Sequence, residues 1–241
     1  MAWNETPNDA RGGIEPYSPF VTEERPARSG KPLSLRLYGL TLSALVFAGF
    51  AVMGFCASLF GNVEFLLAVS KSFGLLTILS FVGAFAGIFM MSAAKKSQSV
   101  GLSLAGYAVF ILAFGFMTST VLLSYTAQTI STAFLATAGI VAVFACLGIA
   151  FPHFFERIQG VLFAALLGLI VVQVVMMFIG TNQTIIDFAV IVVFCGFIGY
   201  DFHRAMEDEP TLVNAVFNAS NLFLDIINVF VRVLSIFGRN N

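Results

Sequence analysis

The stretch from Asn214 to Ser235, NAVFNASNLFLDIINVFVRVLS, decides how this chain folds. Apart from Ser220, which is off the series, its polar members are Asn214, Asn218, Asn221, Asp225, Asn228, Arg232 and Ser235, separated by steps of 4, 3, 4, 3, 4 and 3 residues. Residues three and four apart share one face of an α-helix, so these side chains form one continuous polar stripe. Leu222, Phe223, Leu224, Ile226, Ile227, Val229 and Phe230 occupy the other faces. The consequence depends on the solvent. The chain has 241 residues, 59% of them hydrophobic and 10% charged, with a mean hydropathy of +0.94. Soluble domains carry about 25% charged residues. With so little charge the apolar residues must face lipid, where each unpaired polar group costs several kcal/mol. The stripe therefore has to face other helices or a wet cavity, and its helix is predicted to be central. Asparagine alone would serve as interhelical glue. An ionisable carboxylate in the same row points to function.

Outward from this helix, the chain divides into runs long enough to cross a bilayer, each needing about 20 apolar residues. They lie near Leu33–Phe60, Val63–Ser92, Val100–Tyr125, Ile130–Phe151, Ile158–Gly180, Thr184–Ala205 and Leu212–Phe237. The second window is too long for one span and includes loop. Pro152 and Pro210 fall between spans, as helix sterics require. The fold expected is all-α and polytopic: about seven transmembrane helices, with the last one wrapped by the other six, over residues 33–238. Residues 1–32 hold five of the seven prolines, and residues 1–36 hold five charges of each sign. That composition cannot bury enough apolar surface to order itself, so a disordered cytosolic tail is expected. No apolar run suggests a cleaved signal before residue 36.

Charge sets the expected orientation. If the tail is cytosolic, that side holds Arg11, Arg25, Arg28, Lys31, Arg36, Lys95, Lys96, Arg157 and Arg204, against Lys71 alone on the other side of the first six spans. This is the positive-inside pattern. The net charge of −1 gives no footing for nucleic acid. Cys56, Cys146 and Cys195 stand apart within apolar runs and read as buried small hydrophobes. Gly83 and Gly87 form a small-residue pair suited to close packing inside the chain.

Ionisable groups inside the spans are few: Asp201 near the end of the sixth, and Asp225 and Arg232 in the last. Asp187 reads as an interfacial residue. Asp201 and Asp225 lie on neighbouring spans joined by a short loop, which favours antiparallel packing. If they meet, both cannot ionise cheaply, and they titrate as one unit. Sharing a proton, they hold two helices together; fully ionised, they repel and offer a transient site to a hard cation such as Ca²⁺. Asn218, Asn221, Asn228 and Arg232 support this pair along the stripe. Arg204, three residues from Asp201, is a candidate latch. His153 and His203 read as solvated, as does the acidic run Glu207, Asp208 and Glu209.

Three stretches carry a resemblance to the Bax inhibitor-1 (transmembrane Bax inhibitor motif) family, and to its bacterial members: Tyr125–Ala138, YTAQTISTAFLATA; Phe197-Ile-Gly-Tyr-Asp201; and Asn221–Phe230, with Phe237-Gly238 beyond it. The resemblance runs from about residue 33 to 238. It implies a central helix wrapped by six, and a passive, pH-sensitive Ca²⁺ leak gated by a paired aspartate, here Asp201 and Asp225. Some members have a second-span arginine that latches the sixth-span aspartate. This sequence has none between Gly74 and Met91, leaving Arg204 or Arg232 as substitutes. The expected partners are the bilayer, calcium ions and protons, with no cofactor beyond the permeating ion, and the bacterial inner membrane is the expected location. An alternative is an adaptor that binds membrane proteins, or a membrane AAA protease as some bacterial relatives do, and modulates stress or cell-death responses. Catalysis is not expected: the two aspartates mimic an intramembrane aspartyl protease, but Asp225 follows Asn-Leu-Phe-Leu where such enzymes carry GxGD.

Overall fold

A computed structural model of the chain describes residues 32–179 and 184–239. The expected tail, residues 1–31, lies outside the described residues.

The described residues form eight helices: α1 (Leu35–Phe60), α2 (Val63–Ser70), α3 (Phe73–Ser97), α4 (Val100–Leu122), α5 (Ala127–Ala150), α6 (Pro152–Ile179), α7 (Thr184–Glu207) and α8 (Leu212–Gly238). Seven are long and apolar enough to cross a membrane. The overlong second window resolves into α2, which at 8 residues is too short to span, and α3. The helix starts are chemically marked. Ser34, Asn62, Ser99, Thr126 and Thr211 each accept a bond from a backbone N–H of the following turn, occupying donors that the helix itself leaves open. Proline is tolerated at the first helical position because it lacks only an N–H that would be unbonded there. Pro152 accordingly opens α6, six residues before the start expected from hydropathy.

Seven alternating spans give the bundle two ends. The tail-side end carries the start of α1 and the α3–α4, α5–α6 and α7–α8 turns; the far end carries α2, the α4–α5 turn and the end of α8. At the tail-side end, Leu33 N–H donates to Pro210 O at 2.6 Å, tying the start of α1 to the α7–α8 loop.

Helix α8 is the hub. It packs on α1, α3, α4, α5 and α7, and α6 reaches it through Gln173, which accepts a bond from Arg232. Phe223 of α8 is fully buried among Phe50, Phe110 and Phe114, with centroids 5.2, 6.0 and 6.3 Å away. The outer helices turn apolar side chains outward instead: Phe47, Phe89, Phe178 and Val192 are all largely exposed. The polar stripe thus sits at the centre and the apolar surface faces lipid, as the composition demands.

Small residues set two close crossings. Gly87 of α3 backs onto the Gly106 carbonyl and Phe110 of α4, where an added Cβ would collide. Gly83 has room for one, so only half of the Gly83/Gly87 pair is needed for close packing. Gly148 of α5 abuts the Gly199 backbone of α7, which brings α5 against the helix segment that carries Asp201. Cys195 is buried as expected, but Cys56, packed against Gly115 of α4, is partly exposed and Cys146 is exposed.

Candidate functional site

The α7–α8 seam holds the residues singled out in the sequence. Asp225 is buried at the middle of α8, and Asp201 of α7 lies against it, the two carboxyls within hydrogen-bonding reach. No donor among the described residues reaches Asp225 Oδ2. The side chain that meets the Asp225 carboxyl is a second carboxyl, and a carboxyl donates only when it carries a proton. Two like charges in contact repel, so the two carboxyls cannot both ionise cheaply. Arg204 lies close enough to act on Asp201 electrostatically, but no ion pair among the described residues joins them. The latch expected of it is a through-space attraction.

Arg232, the other candidate latch, is engaged elsewhere. Its guanidinium donates to Asp187 Oδ1 at 3.0 Å and to Gln173 Oε1. Arg239 pairs with Asp187 Oδ2, and Ser235 Oγ donates to the same oxygen at 3.2 Å. Asp187, read from sequence as interfacial, is 1% exposed. One carboxylate at the far end therefore binds two arginines and a serine, and the last two members of the stripe serve this cluster, not the aspartate pair. The sequence carries a signal for it: Asp187 is followed, on the last helix, by a cation in the same polar row.

Toward the tail-side end the stripe joins a polar contact beside a pocket of about 360 Å³ lined by Tyr38, Phe202, Asp208 and Leu222. Asn218 Nδ2 donates to Tyr38 Oη and to Asp208 Oδ2, both at 2.9 Å, and Lys95 Nζ donates to Asp208 Oδ2 at 2.8 Å. Asn214 Nδ2 donates to Glu209 O at 2.9 Å. Asp208 reads from sequence as solvated, yet it is largely covered and joins α3, α8 and, through Asn218, α1. Burial alone would raise the Asp208 carboxyl, but the bonds from Lys95 and Asn218 and the charges of Lys95 and Arg204 outweigh it and hold the group below its ordinary 3.8. Between these ends, Asn228 bonds back to Leu224 O of its own helix at 2.7 Å, and Asn221 is partly buried.

Two further cavities lie toward the middle and the far end of the bundle. One of about 570 Å³ opens near the far end between α1, α4 and α5, with Ser119, Tyr125 and Ser131 in its wall and Phe134 and Phe230 at its base. The other, about 360 Å³, is an apolar groove between α1 and α5 that reaches Leu222 and Ile226 of α8. Phe134 and Phe230 line both and meet edge to face, with centroids 6.3 Å apart.

His203 also departs from expectation. It is buried, with Nε2 3.2 Å from Glu156 Oε1 and 3.3 Å from Glu207 Oε2.

Comparison with known proteins agrees with this architecture. An uncharacterized membrane protein of Streptococcus pyogenes serotype M1 is 28% identical over 158 residues, covering 62% of this chain and 68% of its own. The inner membrane protein YbhL of Escherichia coli strain K12 is 24% identical over 163 residues, covering 63% of this chain and 70% of its own. The family described as inhibitor of apoptosis-promoting Bax1 matches residues 33–241. That match spans every membrane helix and both carboxylate sites of the seam, and this multi-pass membrane protein belongs to the Bax inhibitor-1 family.

Proposed function

We propose that the protein is a passive, proton-gated leak for Ca²⁺ whose gate is the Asp201–Asp225 pair. The observation that carries this reading is a buried carboxyl with one oxygen unpartnered among the described residues, lying against a second carboxyl at the centre of the helix on which the bundle is built. Such an arrangement is costly to keep in a membrane and stabilises nothing that an apolar pair would not. With one proton shared, it joins α7 to α8 and the path is closed. Loss of that proton places two negative charges in contact. The helices are pushed apart, and the same two groups offer oxygen ligands to a hard cation. The path runs from the far-end cavity past Phe134 and Phe230 to the pair, and leaves through the tail-side contact of Asn218, Asp208, Tyr38 and Lys95. Every step is passive, and the reading assigns no catalysis. The tail-side end faces the cytosol, on the strength of the lysines and arginines gathered there.

The test is Ca²⁺ influx into liposomes that hold the purified protein and an internal dye, across about pH 5 to pH 8. Influx that varies with pH, and loses that variation in Asp201→Asn or Asp225→Asn, supports the gate. Folded protein with no influx above empty vesicles at any pH sinks the leak. The function would then be that of an adaptor for other membrane proteins, to be sought through partners captured by the tail and tail-side loops.

A further inference from the structure

At the tail-side ends of α6 and α7 the structure gathers a second set of polar side chains that the aspartate gate does not use. Glu156 comes from the first turns of α6; His203 and Glu207 are one turn apart on α7. One ligand atom from each lies within 4.8 Å of the others. The closer spacings are 3.2 Å from His203 Nε2 to Glu156 Oε1 and 3.3 Å from His203 Nε2 to Glu207 Oε2. A tetrahedral site with bonds of about 2.0 to 2.1 Å has ligand-to-ligand edges of about 3.3 Å. The imidazole edge thus meets both carboxylates at the separation a bound ion needs.

The surroundings fit the same chemistry. His203 is buried, whereas Glu156 and Glu207 are exposed and leave an approach from solvent. His153, one turn before Glu156, bonds its other oxygen: Nδ1 to Oε2 is 3.4 Å. Carboxylates that bind metals are commonly steadied in this way by a neighbour on the second oxygen.

We propose that Glu156, His203 and Glu207 bind a divalent transition-metal ion, with His153 orienting Glu156. One imidazole and two carboxylates suit zinc and its first-row neighbours; calcium and magnesium prefer all-oxygen sets. A metal there clamps α6 to α7 two residues beyond Asp201. It is separate from any calcium held by the aspartate pair, and it does not depend on the leak.

The experiment is zinc binding to the full-length, tag-free protein in detergent, stripped with chelator and titrated against a zinc-sensitive chromophore, with unfolding temperature followed in parallel. The expected result is one saturable zinc ion per chain that raises the unfolding temperature and is not displaced by excess calcium. Glu207→Gln and Glu156→Gln each weaken it by at least about tenfold, while Asp225→Asn leaves it unchanged. Both glutamates reach solvent, so their amide variants are expected to fold, and the unliganded unfolding temperature checks this. Absence of saturable binding, or binding unaltered in both variants, overturns the site and leaves an ordinary histidine–carboxylate contact. Because no ion flux is measured, this outcome is independent of whether the leak exists.

Discussion

Two buried carboxylate sites share the α7–α8 seam and differ in one respect. At the far end, Asp187 is surrounded by Arg232, Arg239 and Ser235. Fourteen residues along α7, about 21 Å at 1.5 Å per residue, Asp201 meets Asp225, and Arg204, the positive charge that acts on Asp201, makes no ion pair with either among the described residues. Both sites bury negative charge between the same helices. The first is compensated and works as a lock. The second has no ion-pair partner among the described residues, and in the proposed reading it keeps two states available, selected by one proton. A charge inside a bilayer marks importance in either case; the identity of its neighbours decides whether it holds or switches.

The largest expected effect breaks the lock. Asp187→Ala takes the carboxylate away from Arg232 and Arg239, and removing one member of a buried pair costs about 3–5 kcal/mol. A marked drop in the unfolding temperature in detergent is the expected outcome, largely restored when Arg232→Met is combined with Asp187→Leu. An Asp187→Ala protein that melts with the parent would remove the distinction between the two sites.

The switch should answer oppositely. Asp225→Asn keeps the shape and removes the repulsion, so thermal stability is retained or raised while the pH dependence of Ca²⁺ influx disappears. Stability against pH sharpens the point. The parent should be held together at low pH by the shared proton and lose stability as pH rises and the second carboxyl ionises. The Asp225→Asn variant should show a flat profile over the same interval. Melting curves recorded at closely spaced pH values would settle this, and a parent profile that is already flat would contradict the shared proton.

The smallest effect is expected at the tail-side contact. Lys95→Gln removes a partly exposed ion pair, worth about 0–1 kcal/mol. Asp208 is held below its ordinary 3.8. A carboxylate with a lowered folded-state value contributes stability above its unfolded value and loses it as pH falls through the folded one. The difference between parent and Lys95→Gln should therefore be full at neutral pH and vanish in strong acid, a slope opposite to that of the aspartate pair. A difference unchanged down to the lowest pH at which the protein folds would show that Lys95 acts through its packing over Phe217, 4.8 Å from the ring centroid.

The steps of three and four from Asn214 to Ser235 were enough to place α8 at the centre, because a polar row in lipid has no other place to go. Hydropathy located all seven spans, and the short α7–α8 loop was enough to bring Asp201 toward Asp225. The same reasoning misplaced Asp187, His203 and Asp208. Each lies near a helix end, where hydropathy cannot tell a solvated residue from one covered by a neighbouring helix. Their partners stand far off in the chain: Arg232 and Arg239 for Asp187, Glu156 for His203, Lys95 for Asp208.

By itself the sequence determined the solvent, the number of crossings and the central helix, and it offered Asp201 and Asp225 as a pair only on the condition that they meet. Each follows from local composition or from the period of one helix: a bilayer leaves the backbone only helices or closed barrels, and apolar runs of about 20 residues select helices. Only the tertiary structure decided which charges are neutralised. It gave Arg232 to Asp187, left Asp225 against a carboxyl, joined Asn218, Asp208, Tyr38 and Lys95 at the tail-side end, and brought Glu156 to His203. Those pairings depend on the rotation and depth of whole helices against one another, which packing across the bundle sets and no single stretch of sequence records.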